Sequence, residues 1–521
     1  MIYATRLRLS AACATLFSLG CGDSTVTSDV PPADVIINDA SDAPDVVDAH
    51  DASDASDVVD APDAIDAPDV IDATDVVDVH DVVDASDAGG LIAPIASPCT
   101  VVFADPAALC RTAPCAATAN ATVRCPGEGF GVSVAAGATR ARVMYTDNQG
   151  AFHPMYAALD LAARTGTVEQ APTGNWPARV FSTRDGGDYV AAYSADGGDH
   201  DAMAVFTREA GGWRRVMIEG GRYVPITFGN GAHHADGSES FVYARGEGPS
   251  SSYMAATRRA DGTWRTSALS AGPTFGRFAI DTAPDLTGEI TLARWRFGVP
   301  TATARSMLVS AGGETPRTAY VQDPGGGEGM NHVSMVTRAA PSPVVAIGLQ
   351  DGVHLLTATA SGFDHALVAN TARGNDGSCP GTDTGIGASC STTRTCTARG
   401  TFGASGSHSL ARTADGRVWL VYAQQILDRD YRVVYPARTG PGCPPTVTIT
   451  ADRTRTELVV AEVGATLTER ARLVLADGAN NTDLDVDVAG SSIQIARYGD
   501  GETLAGAPSI RFVAVDTASL R

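Results

Sequence analysis

A strand ending in an apolar-aromatic unit recurs along this chain, and the recurrence restricts the fold more than any other feature. It reads Arg142-Val143-Met144-Tyr145, Val190-Ala191-Ala192-Tyr193, Ser240-Phe241-Val242-Tyr243, Leu292-Ala293-Arg294-Trp295, Val344-Val345-Ala346-Ile347 and Trp419-Leu420-Val421-Tyr422. Successive units are 48, 50, 52, 52 and 75 residues apart. The long last interval contains an insertion at 373–400 with three cysteines; removing roughly 25 residues there restores the period, and a fixed period of that size marks a repeat architecture. A seventh unit is expected around Asp483 to Val488 and Ile493 to Arg497. Throughout residues 126–521, short runs rich in β-branched and aromatic residues are divided by Asp-Gly, Gly-Gly and Asn-Gly turns, the pattern of strands and hairpins. Helical periodicity is confined to one modest stretch, Met155 to Ala163.

Within a unit, a first strand leads by a turn to the marker strand. A third strand follows, and then a turn with tryptophan, as in Ala210-Gly211-Gly212-Trp213 and Asp261-Gly262-Thr263-Trp264; Asp415-Gly416 stands instead at the first turn, just before Trp419. Four short strands in such a unit resemble one blade of a β-propeller. A blade cannot bury both faces alone, so the resemblance implies a closed ring. The expected fold is all-β, a propeller of six to eight four-stranded blades over residues 126–521, with a tandem of β-sandwiches as the structural rival. The aspartate-box loops of sialidase-like propellers run Ser-x-Asp-x-Gly-x-Thr-Trp. Ala260-Asp261-Gly262-Thr263-Trp264 is similar but lacks the serine and one spacer residue.

Residues 1–20 read as an export signal, with Arg6 and Arg8 before a mostly apolar run and Gly20-Cys21 after it. A small residue before cysteine at such a place resembles the lipobox of bacterial lipoproteins. That family implies diacylation of Cys21, a membrane anchor and a place in the cell envelope, at the outer membrane or cell surface. Ser18 and Leu19 depart from its preferred pattern, Cys13 is a competing site, and plain secretion is the alternative.

The segment 21–98 is strongly acidic. From Asp39 to Asp87 every third residue is aspartate, seventeen in succession. That period fits neither helix nor strand, but it matches the threefold turn of polyproline II. The expectation is a disordered, self-repelling spacer that resembles the tethers of other surface lipoproteins. Specific calcium capture is the weaker reading, because calcium loops gather carboxylates by tight turns; no cofactor is otherwise expected. The chain has no lysine, and beyond this segment 40 acids face 36 arginines. No basic stripe suits nucleic acid.

Eight further cysteines fall in two groups: Cys99, Cys110, Cys115 and Cys125, the first opening a lead-in at 99–125, and then Cys379, Cys390, Cys396 and Cys443. An even number in an exported chain argues for disulfides. Zinc is disfavoured, since no CxxC pair occurs.

In a propeller the innermost strands line a channel and open at one mouth. The repeat places Trp176, Tyr223, Arg277, His332 and His408 there, a set able to stack on sugars or hold an anion, although plugging the channel is the plainer role. A metal held by His332 and His408 is the remoter reading. Asp196 to Asp201 reads as a polar hairpin tip and His233-His234 as a loop. Asp483-x-Asp485-x-Asp487, alternating with Leu484, Val486 and Val488, reads as an amphipathic strand. No GxSxG or HExxH motif occurs. The sequence leans towards a lipid-anchored recognition protein for a glycan or an envelope protein. A polysaccharide hydrolase or lyase and a structural envelope component are the alternatives.

Overall fold

The computed structural model describes residues 90–520 apart from 111–114, 126–128, 149–151, 174–177, 195–201, 221–230, 246–251, 272–277, 282–288, 298–304, 312–314, 323–331, 339–341, 350–351, 371–392, 435–445, 454, 476–480 and 500–508. The signal segment, Cys21 and the aspartate run lie outside the described residues, as does the Asp196–Asp201 turn.

Three strands, β1 (Ile95–Ala96), β2 (Thr100–Phe103) and β3 (Ala117–Arg124), precede the first inner strand. Blade 1 is β4 (Gly129–Ala135), β5 (Arg140–Asn148), β6 (Phe152–Asp160) and β7 (Thr165–Gln170). Blade 2 is β8 (Ala178–Ser182), β9 (Asp188–Ser194), β10 (Ala202–Glu209) and β11 (Gly212–Gly220). Blade 3 is β12 (Ala232–His233), β13 (Glu239–Arg245), β14 (Ser252–Arg258) and β15 (Trp264–Ala271). Blade 4 is β16 (Phe278–Asp281), β17 (Thr291–Phe297), β18 (Arg305–Ala311) and β19 (Arg317–Gln322). Blade 5 is β20 (Val333–Arg338), β21 (Ser342–Leu349), β22 (Gly352–Ala358) and β23 (Phe363–Asn370). Blade 6 contains β24 (Thr393–Arg412), β25 (Val418–Val434), a side strand β26 (Thr446–Asp452), β27 (Arg455–Val463) and β28 (Leu467–Leu475). Blade 7 joins β29 (Asn481–Ala489), β30 (Ser492–Gly499) and β31 (Ser509–Asp516) to β3 and β2. The structure is therefore an all-β propeller of seven blades, each built on four antiparallel strands.

Why a ring forms is visible in its core. The described residues give seven apolar clusters, each shared by two neighbouring blades: 1 with 2, and so on round to 7 with 1. Each middle strand therefore buries both faces. On β6, Met155, Ala157 and Leu159 point to blade 7, while Tyr156 and Ala158 point to blade 2. This corrects the helical reading of Met155 to Ala163: a strand apolar on both faces loses its twofold alternation, so its sequence mimics a helix.

The two chain ends close the ring. β3 pairs with β31 from Ala117 opposite Val515 to Arg124 opposite Ser509. Residues 99–125 thus supply blade 7 with its two outer strands. The Cys99–Cys125 disulfide sits one position beyond the Thr100–Arg124 pair that ends the β2–β3 ladder, with Cα atoms 4.4 Å apart. A second bridge links Cys110 and Cys115. Residues 92–103 then run across three blades from outside. Ile92 exchanges two 2.8 Å backbone hydrogen bonds with Trp213 of blade 2, β1 pairs with β7 of blade 1, and β2 lies on blade 7. Cys379, Cys390, Cys443 and the Cys396 side chain lie outside the described residues.

In blade 6, the first two strands run past the ring. Residues 393–403 pair with 424–434, and β26 lies against the same extension.

Candidate functional site

Inner strands contributed by all seven blades surround a central cavity of about 140 Å³. Its ionisable lining is Arg179 of β8, His233 of β12, Asp281 of β16, Arg412 of β24, and Asp485 and Asp487 of β29. These strands have a free edge facing the channel or the next blade, and unpaired edge N–H groups need acceptors. Side chains supply them. Asp483, Asp485 and Asp487 accept from the N–H groups of Gly131 and Val134 on β4 and of Ala136 just past its end, at 2.8, 2.9 and 2.7 Å. Ser133 of β4 accepts from Val180 of β8 at 3.0 Å. Asp281 accepts from Thr337 of β20 at 2.6 Å, and Ser334 of β20 accepts from Leu410 of β24 at 3.1 Å. In each case a side chain of one blade satisfies the backbone of the next.

Two arginines complete the network. Arg179 donates to Asp485 at 2.6 Å, reaching from blade 2 to blade 7. Arg412 lies 3.7 Å from Asp281 and also donates to the carbonyl of Thr337. Burial is the largest influence on Asp485 and pushes its carboxyl above the ordinary range, against the opposing pull of Arg179 and of Val134 N–H. His233 is 3.4 Å from Ser182 Oγ, and the buried His234 is 2.7 Å from Ser240 Oγ. Desolvation lowers the His234 pKa. The pair expected as a loop therefore sits on the last residue of β12 and the turn after it.

Of the five expected mouth residues, the structure brings His332 and His408 together. Their rings meet edge-on with centroids 5.0 Å apart. His332 immediately precedes β20 and is half-buried; His408 is fully buried, opposite Tyr422. Trp176, Tyr223 and Arg277 lie outside the described residues. Sequence reasoning missed Arg179, Asp281 and Arg412. The available signal was a lone charge in an apolar inner strand, as in Ala178-Arg179-Val180, Ala279-Ile280-Asp281 and Leu410-Ala411-Arg412.

A second polar cluster lies between blades 1 and 2. Tyr156 donates to Asp188 at 2.7 Å, and Arg142 Nε lies 3.2 Å from the same carboxylate. Burial raises both the Asp188 and Tyr156 pKa values. Arg142 also lines an open cavity of about 250 Å³ with Arg140, Thr165 and Thr167.

At the opposite end of the ring from His332 and His408, aspartates organise the hairpin turns. Asp261 accepts from Thr263 N–H at 2.9 Å and from its hydroxyl at 2.6 Å, with Gly262 at φ +85°. Asp185, Asp236 and Asp415 bind their own turns in a similar way. Because Trp264 is buried between blades 2 and 3, the aspartate-box resemblance corresponds here to a turn that seats an interblade tryptophan.

No protein-family profile matches the chain, and no curated protein matches it. Among solved structures, the polysaccharide lyase Uly1 is similar at 10% identity and a TM-score of 0.37, covering 82% of this chain and 99% of that one. The β-propeller domain of the trilobed protease from Pyrococcus furiosus is similar at 7% identity and a TM-score of 0.38, covering 75% and 95%. A Trypanosoma rangeli sialidase is similar at 9% identity and a TM-score of 0.36, covering 82% and 60%. These likenesses are distant, and none assigns a ligand or a reaction to this chain.

Proposed function

We propose that this protein is an exported propeller that recognises a glycan or an envelope protein at the channel mouth, anchored through Cys21 and held off the membrane by its acidic segment. One observation carries the preference for binding over catalysis. The channel aspartates are committed to neighbouring backbone N–H groups and to Arg179 and Arg412, so they serve the ring rather than a substrate. The cavity of about 140 Å³ is also smaller than the ~300 Å³ at which small-molecule pockets begin. A ligand would therefore rest on the mouth, beside His332 and His408. The two disulfides favour an oxidising compartment. The test is a glycan and envelope-protein binding panel on wild type and His332→Ala. Saturable binding without turnover, weakened in the variant, supports the reading; turnover refutes it. Membrane partitioning of Cys21→Ser tests the anchor separately, and unchanged partitioning sinks it.

A second reading, a polysaccharide hydrolase or lyase, is favoured by the Tyr156, Asp188 and Arg142 cluster beside an open cavity. Burial holds the Tyr156 hydroxyl protonated, so the groups a substrate would meet there are Arg140 and Arg142, suited to a substrate carboxylate. Release of new reducing ends or unsaturated sugars, abolished in Asp188→Asn, would establish it.

A further inference from the structure

On the outer part of blade 5, His354 of β22 and His365 of β23 present their imidazoles to each other. Nδ1 of His354 lies 2.5 Å from Nε2 of His365. The rings lie head to head and nearly coplanar, with centroids 4.8 Å apart and planes 20° from parallel. The strands explain the meeting. Leu356 is opposite His365 and His354 opposite Leu367, so the two histidines are diagonal neighbours on one face of the sheet. Tyr320, from β19 of blade 4, stands edge-on to His365 at 5.2 Å and limits its swing. His354 is 3% exposed, whereas His365 is exposed on the outermost strand.

We propose that His354 and His365 form a two-imidazole chelate for a borderline transition-metal ion, Cu(II) foremost. Neutral imidazole suits copper, nickel and zinc, and affinity at a given nitrogen site peaks at Cu(II). Metal–nitrogen bonds of about 2.0–2.1 Å hold two ligating nitrogens roughly 2.9–3.4 Å apart, from square to tetrahedral angles. The rings must therefore separate by less than ~1 Å and tilt so that their in-plane lone pairs converge on the ion. The burial of His354 fixes one donor, and the exposure of His365 lets the other adjust by a small side-chain rotation. Without metal, one ring must donate to the other, so a single N–H proton lies between the two nitrogens. Binding exchanges that proton for the metal: the N–H bond breaks, two metal–nitrogen bonds form, and the proton passes to water. Solvent on the His365 side fills the remaining positions. The site lies away from the channel and does not depend on the function proposed above.

The experiment is Cu(II) titration of the full chain, followed by electron paramagnetic resonance. The acidic segment offers carboxylate oxygens and the imidazoles of His50 and His80, so the nitrogen splitting is assigned to the pair by its loss in His365→Ala. The expected result is splitting from two nitrogens at about one equivalent of copper, with affinity falling at least ~10-fold in His365→Ala. His365→Ala alters an exposed side chain, and circular dichroism verifies its fold; His354→Asn serves as the second variant. An all-oxygen spectrum, or nitrogen splitting that His365→Ala leaves intact, overturns the proposal.

Discussion

Between blades 7 and 1, a nine-residue inner strand gives three aspartates to the backbone of β4 and of Ala136 just past it, and Arg179 covers the middle one. Between blades 2 and 3 the inner strand β12 is two residues long. There the junction is carried by Phe181 of β8 and, farther out, by Tyr189, Phe241, Tyr243 and Trp264. Phe181 and Phe241 stack at 5.3 Å, and Trp264 stands edge-on to both Tyr189 and Phe241. The difference follows from what each junction must satisfy. A long inner strand exposes a row of N–H donors that need acceptors, whereas a short one exposes few and leaves room for rings. The clasp also sits where the chain's two ends meet. Directional bonds there fix one register between segments some 350 residues apart in sequence (|i−j| 351 for Val134 and Asp485), and apolar stacking alone would tolerate slippage.

The comparison can be broken most forcefully on the aromatic side. Phe241→Ala should cost about 3–5 kcal/mol, the range for removing a buried aromatic, seen in thermal unfolding and in hydrogen exchange of β9 and β13. A loss below ~1 kcal/mol would mean that the ring is held mainly by its polar clasps. Next comes the paired change Cys99→Ser and Cys125→Ser. The bridge closes a loop of 26 residues, so its removal should cost about 3–4 kcal/mol in the chain-entropy account and free the strap at Ile92. Proteolysis of residues 90–103 reads that release.

Asp485→Leu alone should cost about 2–3 kcal/mol by leaving Arg179 and the Val134 N–H without their acceptor. Replacing both, Arg179→Met with Asp485→Leu, should recover most of it, since apolar pairs commonly match buried ion pairs. The pH dependence has a definite sign. Burial raises the Asp485 carboxyl in the fold, so the unfolded chain loses its proton first as pH rises. The stability tied to that proton is present below the ordinary carboxylate value and is lost as pH climbs through the raised one. Wild type should therefore lose stability relative to Asp485→Asn across that window.

The blades were legible because each marker strand is the second of its sheet, buried on both sides, and so keeps its apolar-aromatic sequence. The seventh unit was legible on the same ground, through β29 and β30. The channel was far less so. Asp483, Asp485 and Asp487 were recognised as one face of a strand, but sequence cannot say that this face meets the backbone of β4 on the far side of the ring closure. Arg179 finds its partner 306 positions away, and nothing local distinguishes it from an arginine in solvent. His332 and His408 come from counting back from the marker strands; His332 immediately precedes β20, whereas His408 lies within β24, four residues before its end. The helical appearance of Met155 to Ala163 shows the converse, that burial on both faces erases the alternation by which a strand is known.

The smallest predicted effect sharpens the comparison most. If capping of one blade's edge by the next blade's side chain is a rule of this ring, it should hold at uncharged junctions too. Ser133→Ala removes the acceptor 3.0 Å from Val180 N–H without touching the aspartate clasp or the aromatic stack. The expected loss is about 1 kcal/mol, the net worth of one neutral hydrogen bond, so global unfolding barely reports it. Amide exchange does: Val180 should exchange about fivefold faster, while Leu410, capped by Ser334 across the ring, should keep its rate. Equal rates at Val180 before and after the change would confine the capping role to carboxylates. It would then be charge on β29, rather than a general demand of free edges, that makes the 7–1 junction different.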